Sequence, residues 1–444
     1  MLGIKKGGVH PHDEKQSTEG KKIEYLPVSP KLYIPIRQHI GEPCAPVVKV
    51  GDLVKKGQVI ADSPDGKAAP VHSSTSGKVV EIGNYPHPVY GLSTCIVIES
   101  DGQDEWMEGL LVERDYNKLS KKEIIDIIFR SGIVGMGGAA FPTHIKLSPP
   151  EDRKIDTLIV NGAECEPYLT SDYRTMIEFA DDVIKGTLIA MKILNVENCY
   201  IGIEHNKPEA IKLLTEKCKG TNIKVVTLET RYPQGAEKMM INVITGREVP
   251  SGRLPMDVGC VVQNVGTLKA VADAVEKGIP LIERIVTVAG KTVKDPKNLM
   301  VRIGTPFKDL FDYCGGFTDK NGKVIMGGPM MGLAQVTLDA VVIKATSGIV
   351  SISEKDVDYQ PEKACIRCGR CIEACTMRLR PSILSILSEK GLHQTAQTDY
   401  DLNDCVECGC CYYVCPSRRN IVHYIRQSKA KNAMLRAAAK TGSK

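Results

Sequence analysis

Two cysteine runs near the C-terminal end constrain this chain more than anything else in it. The first reads Cys365-Ile-Arg-Cys368-Gly-Arg-Cys371-Ile-Glu-Ala-Cys375, and the second Cys405-Val-Glu-Cys408-Gly-Cys410-Cys411-Tyr-Tyr-Val-Cys415-Pro416. Both fit C-x2-C-x2-C-x3-C, the spacing of two-cluster iron–sulfur ligation. Three thiolates on one tight loop grip three irons of a cubane, and the fourth cysteine starts a helix that carries it to the other cluster. The expected ligands of one 4Fe–4S cluster are therefore Cys365, Cys368, Cys371 and Cys415, and of the second Cys405, Cys408, Cys411 and Cys375. Structural zinc is the alternative, but it takes its ligands as two separated pairs and fits three in a row poorly. A disulfide framework belongs to secreted chains. Here Met1-Leu-Gly-Ile-Lys-Lys leads into polar residues with no apolar signal region. Cys410 breaks the repeat and is read as a bystander, and Ile383 to Leu387 in the insert between the runs is read as helical.

Clusters in series move single electrons, so the rest of the chain must supply a source, a partner or both. With 444 residues it has room for about three average domains, or more if some are small. A net charge of +5 is too small over this length to imply nucleic acid. No apolar run approaches the roughly 18–20 residues that span a bilayer, so a reducing, cytoplasmic setting is expected, with any membrane link made through a partner. The basic tail, residues 428–444, is read as a solvated helix end, with contact to an anionic membrane or an acidic protein as the alternative.

Residues 1–30 read as an extended, irregular lead-in, and His10-Pro11-His12 as unliganded loop residues. Residues 31–115 carry short β patterns at Val47 to Val50, Gln58 to Ala61, Lys78 to Ile82 and Thr94 to Ile98, with turns at Gly51-Asp52, Pro64-Asp65-Gly66 and Ser76-Gly77. They resemble a biotinyl/lipoyl-type barrel-sandwich module. The tip, where a carrier would present its lysine, reads His72-Ser-Ser-Thr-Ser-Gly77, so the module is read as structural or docking.

Residues 116–282 read as an α/β domain. An amphipathic helix, Lys121–Arg130, runs into Gly132-Ile-Val-Gly135-Met-Gly137-Gly138-Ala139-Ala140-Phe141-Pro142-Thr143-His144-Ile145-Lys146. Small residues let backbone approach a phosphate or a ring. The loop follows a helix and not a strand, so it is not the Rossmann fingerprint. Thr157-Leu-Ile-Val160 reads as a buried strand ending in Asn161-Gly-Ala-Glu164-Cys165-Glu166-Pro167, with polar groups at the end where α/β sheets bind ligands. A strand at 199–204, a helix at 208–219 and a strand at 223–228 follow. Beyond them come Tyr232-Pro-Gln-Gly235-Ala-Glu237 and Gln263-Asn264-Val-Gly-Thr267.

These motifs together resemble the FMN- and NADH-binding flavoprotein component of respiratory complex I. With the barrel-sandwich module in front and the cysteine runs behind, the whole chain resembles the RnfC family of the Rnf electron transport complex. The resemblance implies that Gly135, Gly137, Gly138, Lys146, Asn161, Gly235, Glu237, Asn264 and Thr267 line a non-covalent FMN. It implies that Phe141 stacks on the nicotinamide dinucleotide, that Glu166 accepts hydrogen bonds from NADH, and that Glu164 lies close to the flavin. Three alanines depart from the complex I pattern: Ala140 for a glycine, Ala163 for an aspartate and Ala236 for a glutamate. Residues 283–350 resemble the β-grasp SLBB domain that follows the flavin domain there, and residues 351–427 hold the two-cluster, ferredoxin-like helical segment.

The implied activity is ferredoxin:NAD oxidoreduction within an ion-transporting translocase. NAD(H), FMN and two 4Fe–4S clusters would stand in series, with no side-chain acid or base in the hydride step. The implied partners are the ferredoxin-like RnfB protein and the membrane proteins of the complex, and the implied place is the cytoplasmic face of the cell membrane. A cobalamin reductase-type flavin and iron–sulfur protein is one alternative. A non-enzymatic electron wire with a degenerate nucleotide site is the other.

Overall fold

In the computed structural model, which describes residues 1–63, 66 and 68–441, the N-terminal β patterns form two small facing sheets. One runs in the order Lys31–Pro35, Gly91–Ser100, Gly77–His87, Leu53–Val54, and the other Ala45–Pro46, Val59–Asp62, Val71–His72. Their inward side chains, Leu32, Ile34, Ile60, Val79, Ile96 and Ile98, are fully enclosed. The strand expected at Val47 to Val50 sits earlier, at Ala45–Pro46. There the chain turns early, because Asp52 accepts the Lys49 N–H at 2.9 Å and Gly51 takes φ +98. The turn residues Pro64 and Asp65 lie outside the described residues, as do residues 442–444 of the basic tail. Ser73, Ser74, Thr75 and Ser76 at the tip are completely buried. The tip is packed inward, where a carrier would need it in solvent.

The second unit is a parallel sheet in the order Ile223–Leu228, Asn198–Glu204, Thr157–Asn161, Cys260–Asn264. Continuous apolar strands such as Leu158, Ile159 and Val160 suit a sheet covered on both faces. Ala180–Leu194 and Val265–Lys277 pack side by side over it. The helix Lys121–Arg130 starts at a capping box made by Ser120 and Glu123. In chain order the strands run 3-2-1-4, so the order reverses between Thr157–Asn161 and Cys260–Asn264. Asn161 and Asn264, the last residues of those two strands, are direct register partners.

The third unit is a six-stranded mixed sheet with the helix Phe307–Tyr313 against it. Its edge strand, Ile23–Tyr25, comes from the N-terminal lead-in and pairs in parallel with Lys297–Arg302. That lead-in is thus less irregular than its composition suggests. Lys344 ties the first three units together: its side chain is 1% exposed and donates to Pro70 O and Gly132 O, each at 2.8 Å.

The cysteine segment closes the chain. Its two ligand loops each lead into a single helical turn, Arg370–Glu373 and Cys410–Tyr413, and Pro381–Glu389 packs on the long helix Ile421–Thr441. The helical turn therefore precedes Cys375 and Cys415 and does not start at them. Gly369 and Gly409 open these turns at φ +81 each, a backbone state that glycine accepts without strain.

Candidate functional site

The glycine loop is closed by Gly135 N–H donating to Phe141 O at 2.8 Å. Its crest, Gly137 to Ala139, is exposed, and so is Phe141. The loop is pinned from below by Met136 N–H, which donates to Thr267 Oγ1 at 2.9 Å. A Cβ on Gly137 would come within 3.0 Å of Asn264 Cβ, and one on Gly235 within 3.2 Å of Cys165 Sγ. Glycine on both sides keeps the crevice at the sheet's switch point wide enough for a flat ring, which is the place where such sheets bind ligands.

The two asparagines at the floor are fixed in orientation. Asn161 Nδ2 donates to Gly235 O at 2.8 Å and its Oδ1 accepts from Ala163 N–H. Asn264 caps Val265–Lys277 by accepting from Gly266 and Thr267 N–H, and its Nδ2 donates to Asp172 Oδ2 at 2.7 Å. Lys146 and Glu237 form an ion pair at 2.5 Å on the rim. Gly135, Gly137, Gly138, Lys146, Asn161, Gly235, Glu237, Asn264 and Thr267 thus all belong to this one region or its direct supports. The cavity of about 210 Å³ between Val265–Lys277, Ser171–Glu178 and Arg284 lies beside this crevice and shares only Met136, Asp172 and Gly266 with its supports.

Glu164 and Glu166 are already engaged by protein groups. Glu164 accepts Asp172 N–H at 2.6 Å and Tyr173 N–H at 3.2 Å, capping Ser171–Glu178. Burial pushes its carboxyl up to about 7, against the pull of Lys15. Glu166 reaches into the third unit, where Met330 and Met331 N–H donate to its two oxygens at 3.1 and 2.7 Å. Burial raises its pKa as well. Both carboxylates therefore shape the loop that carries them.

On the cluster side, one pocket is lined by Cys375, Cys405, Cys408, Cys410 and Cys411, with Leu384 and Ile425 as part of its wall. Cys375 comes from the other run, as the cubane spacing requires. Burial raises the Cys371 pKa, and the Cys365 and Cys415 thiols lie near enough to add to that effect, which fits the complementary exchange. Among the described residues no three side chains converge on a single ion. The thiols surround a volume, which suits a cubane's separated irons. Cys410 is 1% exposed, with Sγ 3.9 Å from Tyr232 O. The isolated Cys44, Cys95, Cys199, Cys218, Cys260 and Cys314 are buried, while Cys165 accepts Gly235 N–H and belongs to the crevice.

Composition and motifs gave no sign of Lys15 or of the contact that Tyr232 makes. Tyr232 Oη donates to Cys408 O at 2.7 Å, so the crevice loop touches the cluster loop directly. Lys15 lies beneath the 161–169 loop, 3% exposed. A buried lysine in a polar lead-in has no periodic signature. The repeated Gly7-Gly8 ahead of it was the available clue to close packing.

A switch-point crevice with glycine walls, wired to a two-cluster module, defines a class: flavin- and iron–sulfur-linked nicotinamide oxidoreductase subunits. Residues 128–273 match the Nuo51 FMN-binding domain, 4–103 the RnfC barrel sandwich hybrid domain, 285–334 the SLBB domain and 364–418 the 4Fe-4S dicluster domain. The chain is 58% identical over 97% of its length, and 94% of the relative's, to the RnfC protein of the proton-translocating ferredoxin:NAD(+) oxidoreductase complex of Clostridium ljungdahlii. It is 41% identical over 89% of its length, and 90% of the relative's, to the counterpart in the Na(+)-translocating complex of Acetobacterium woodii. An NAD+-reducing [NiFe]-hydrogenase shares the fold at TM-score 0.50 and 15% identity, over 74% of this chain and 68% of that one. The chain belongs to the RnfC family of the Rnf ion-translocating ferredoxin:NAD+ oxidoreductase complex. Its cofactors are FMN, 4Fe–4S clusters and NAD(H), and its partners are the other Rnf proteins. Among the described residues no helix is long and apolar enough to cross a membrane.

Proposed function

We propose that the Asn161/Asn264 crevice would hold FMN and NAD(H), that Cys375, Cys405, Cys408 and Cys411 would hold the cluster nearer to it, and that Cys365, Cys368, Cys371 and Cys415 would hold the farther one, an order that would let the chain relay electrons between NAD(H) and a partner. The contact of Tyr232 with Cys408 carries this order, because it joins the crevice loop to the second ligand loop. Cys368, by contrast, is exposed and faces outward for a partner. Bound FMN supplies exchange between a hydride's electron pair and single electrons.

The chain's own residues hold and orient. The glycine crest and Asn161 and Asn264 seat the ring, Lys146 offers a cation at the rim, and Phe141 offers an exposed face to the dinucleotide. Glu166 keeps the third unit closed over the loop through Met330 and Met331. The chain docks peripherally on the cytoplasmic face of the membrane, held by the membrane proteins of the complex, and hands electrons to or from the ferredoxin-like RnfB protein.

The absorbance spectrum of the anaerobically purified protein tests this. A bound flavin that NADH bleaches, followed by bleaching of the clusters, is the expected result. Clusters without any flavin in a Gly137→Ala variant and a normal flavin in the wild type would support the crevice. Clusters without flavin in the wild type would leave only an electron wire.

A further inference from the structure

We propose that Lys15 is a positioning residue for the nucleotide loop, and that the segment carrying it sets that loop in register with the Cys375 cluster. This rests on the flavin reading above and goes beyond it, since the segment lies outside the flavin domain.

Lys15 Nζ donates to three carbonyls of one loop: Glu164 O at 3.0 Å, Glu166 O at 2.8 Å and Leu169 O at 2.5 Å. An ammonium has three donors and no acceptor, so this site uses all of them. Lys207, 2% exposed, holds Ala163 O at 2.7 Å from the other side. The loop between Asn161 and Thr170 thus rests on two buried lysines. Charge-assisted bonds to buried carbonyls fix backbone strongly, and leaving those carbonyls unmatched is costly.

The rest of the segment continues the stitching. Leu2 pairs with Thr227 and Glu229, and Tyr168 N–H donates to Asp13 O at 2.8 Å. Val9 and Tyr232 exchange both backbone bonds, at 2.8 and 2.9 Å. Gly8 N–H donates to Ala374 O at 3.0 Å, and a Cβ on Gly7 would stand 2.7 Å from the Cys375 carbonyl carbon. One short stretch of chain therefore grips the nucleotide loop, the Tyr232 loop and the backbone beside a cluster ligand.

The test uses the anaerobic holoprotein, with iron and flavin content measured first and NADH-driven ferricyanide reduction as the assay. In Lys15→Met the NADH KM should rise about tenfold or more while iron and flavin stay at wild-type levels. Lys21→Met, which removes an exposed lysine of the lead-in that pairs with Asp295 away from the loop, should keep the wild-type KM. An unchanged KM in Lys15→Met overturns the proposal, and so does an equal rise in Lys21→Met. If Lys15→Met fails to hold its cofactors, Lys15→Arg decides. Its planar fork cannot aim three donors at converging carbonyls, so the same KM rise is expected, and a wild-type KM sinks the idea. Absence of flavin from the wild type is a separate result and removes the flavin reading itself.

Discussion

Cys375 shares a pocket with Cys411, although the two belong to different cysteine runs. The crossed assignment draws each cluster's ligands partly from the other's loop. Cys375→Ser should remove or degrade the cluster of the second run, and Cys415→Ser the cluster of the first. Cys410→Ser should keep the full iron content. Iron analysis with electron paramagnetic resonance of the reduced protein distinguishes the two clusters. Loss of the first-run signal in Cys375→Ser would refute the crossed assignment.

Tyr232→Phe removes the bond from that phenol to Cys408 O. Leaving a buried carbonyl unmatched costs about 1–3 kcal/mol. The variant should still let NADH bleach the flavin at the normal rate, while the following cluster bleaching slows. Stopped-flow absorbance resolves the two phases. Equal slowing of both would place Tyr232 in the nucleotide site and not between the two centres.

Ala140 holds φ +51 at the end of the glycine loop, where an L side chain is strained. The glycine of the complex I pattern thus has a conformational reason, and this chain departs from it at a cost. Ala140→Gly should stabilise the flavin domain by up to about 1 kcal/mol. A calorimetric scan checks this, and a lowered transition temperature would contradict it.

Acid should loosen the joint between the first two units. Burial holds His72 neutral and pulls its pKa down to about 3, with the nearby Lys344 adding to the effect. His144 is likewise lowered to about 4 by burial. Unfolded imidazoles titrate near 6.5, so the unfolded chain binds more protons below that pH. Stability is complete above 6.5 and falls as pH drops toward these lowered values. For His72 alone the loss between pH 6.5 and 5 is about 2 kcal/mol. His72→Gln should flatten this acid limb in a denaturant titration run at both pH values. An unchanged limb would show that the ring is already protonated when folded.

Much of the molecule could be read directly because its signals are local. Cubane ligation needs fixed spacing, so a two-cluster segment was legible from the runs. Buried parallel strands need unbroken apolar runs, so Thr157 to Val160 and the strand ending at Leu228 were found close to their bounds. The contacts that sequence patterns hide join distant stretches. Lys15 lies some 150 positions from the carbonyls it holds, and Tyr232 is similarly remote from Cys408. Glu164 and Glu166 were legible as important acids, but their present bonds to backbone N–H groups depend on how two units meet. The early turn at Lys49 to Asp52 followed from an Asx contact that residue alternation does not reveal.

Among the described residues, the strand Ile23–Tyr25 pairs with Lys297–Arg302 alone, which the ribosome adds some 270 residues later. That stretch must therefore wait for its strand partner through much of translation. Gly8 waits longer still, since its acceptor at Ala374 belongs to the cluster segment. The lead-in therefore takes up its full set of contacts only once the cluster segment exists.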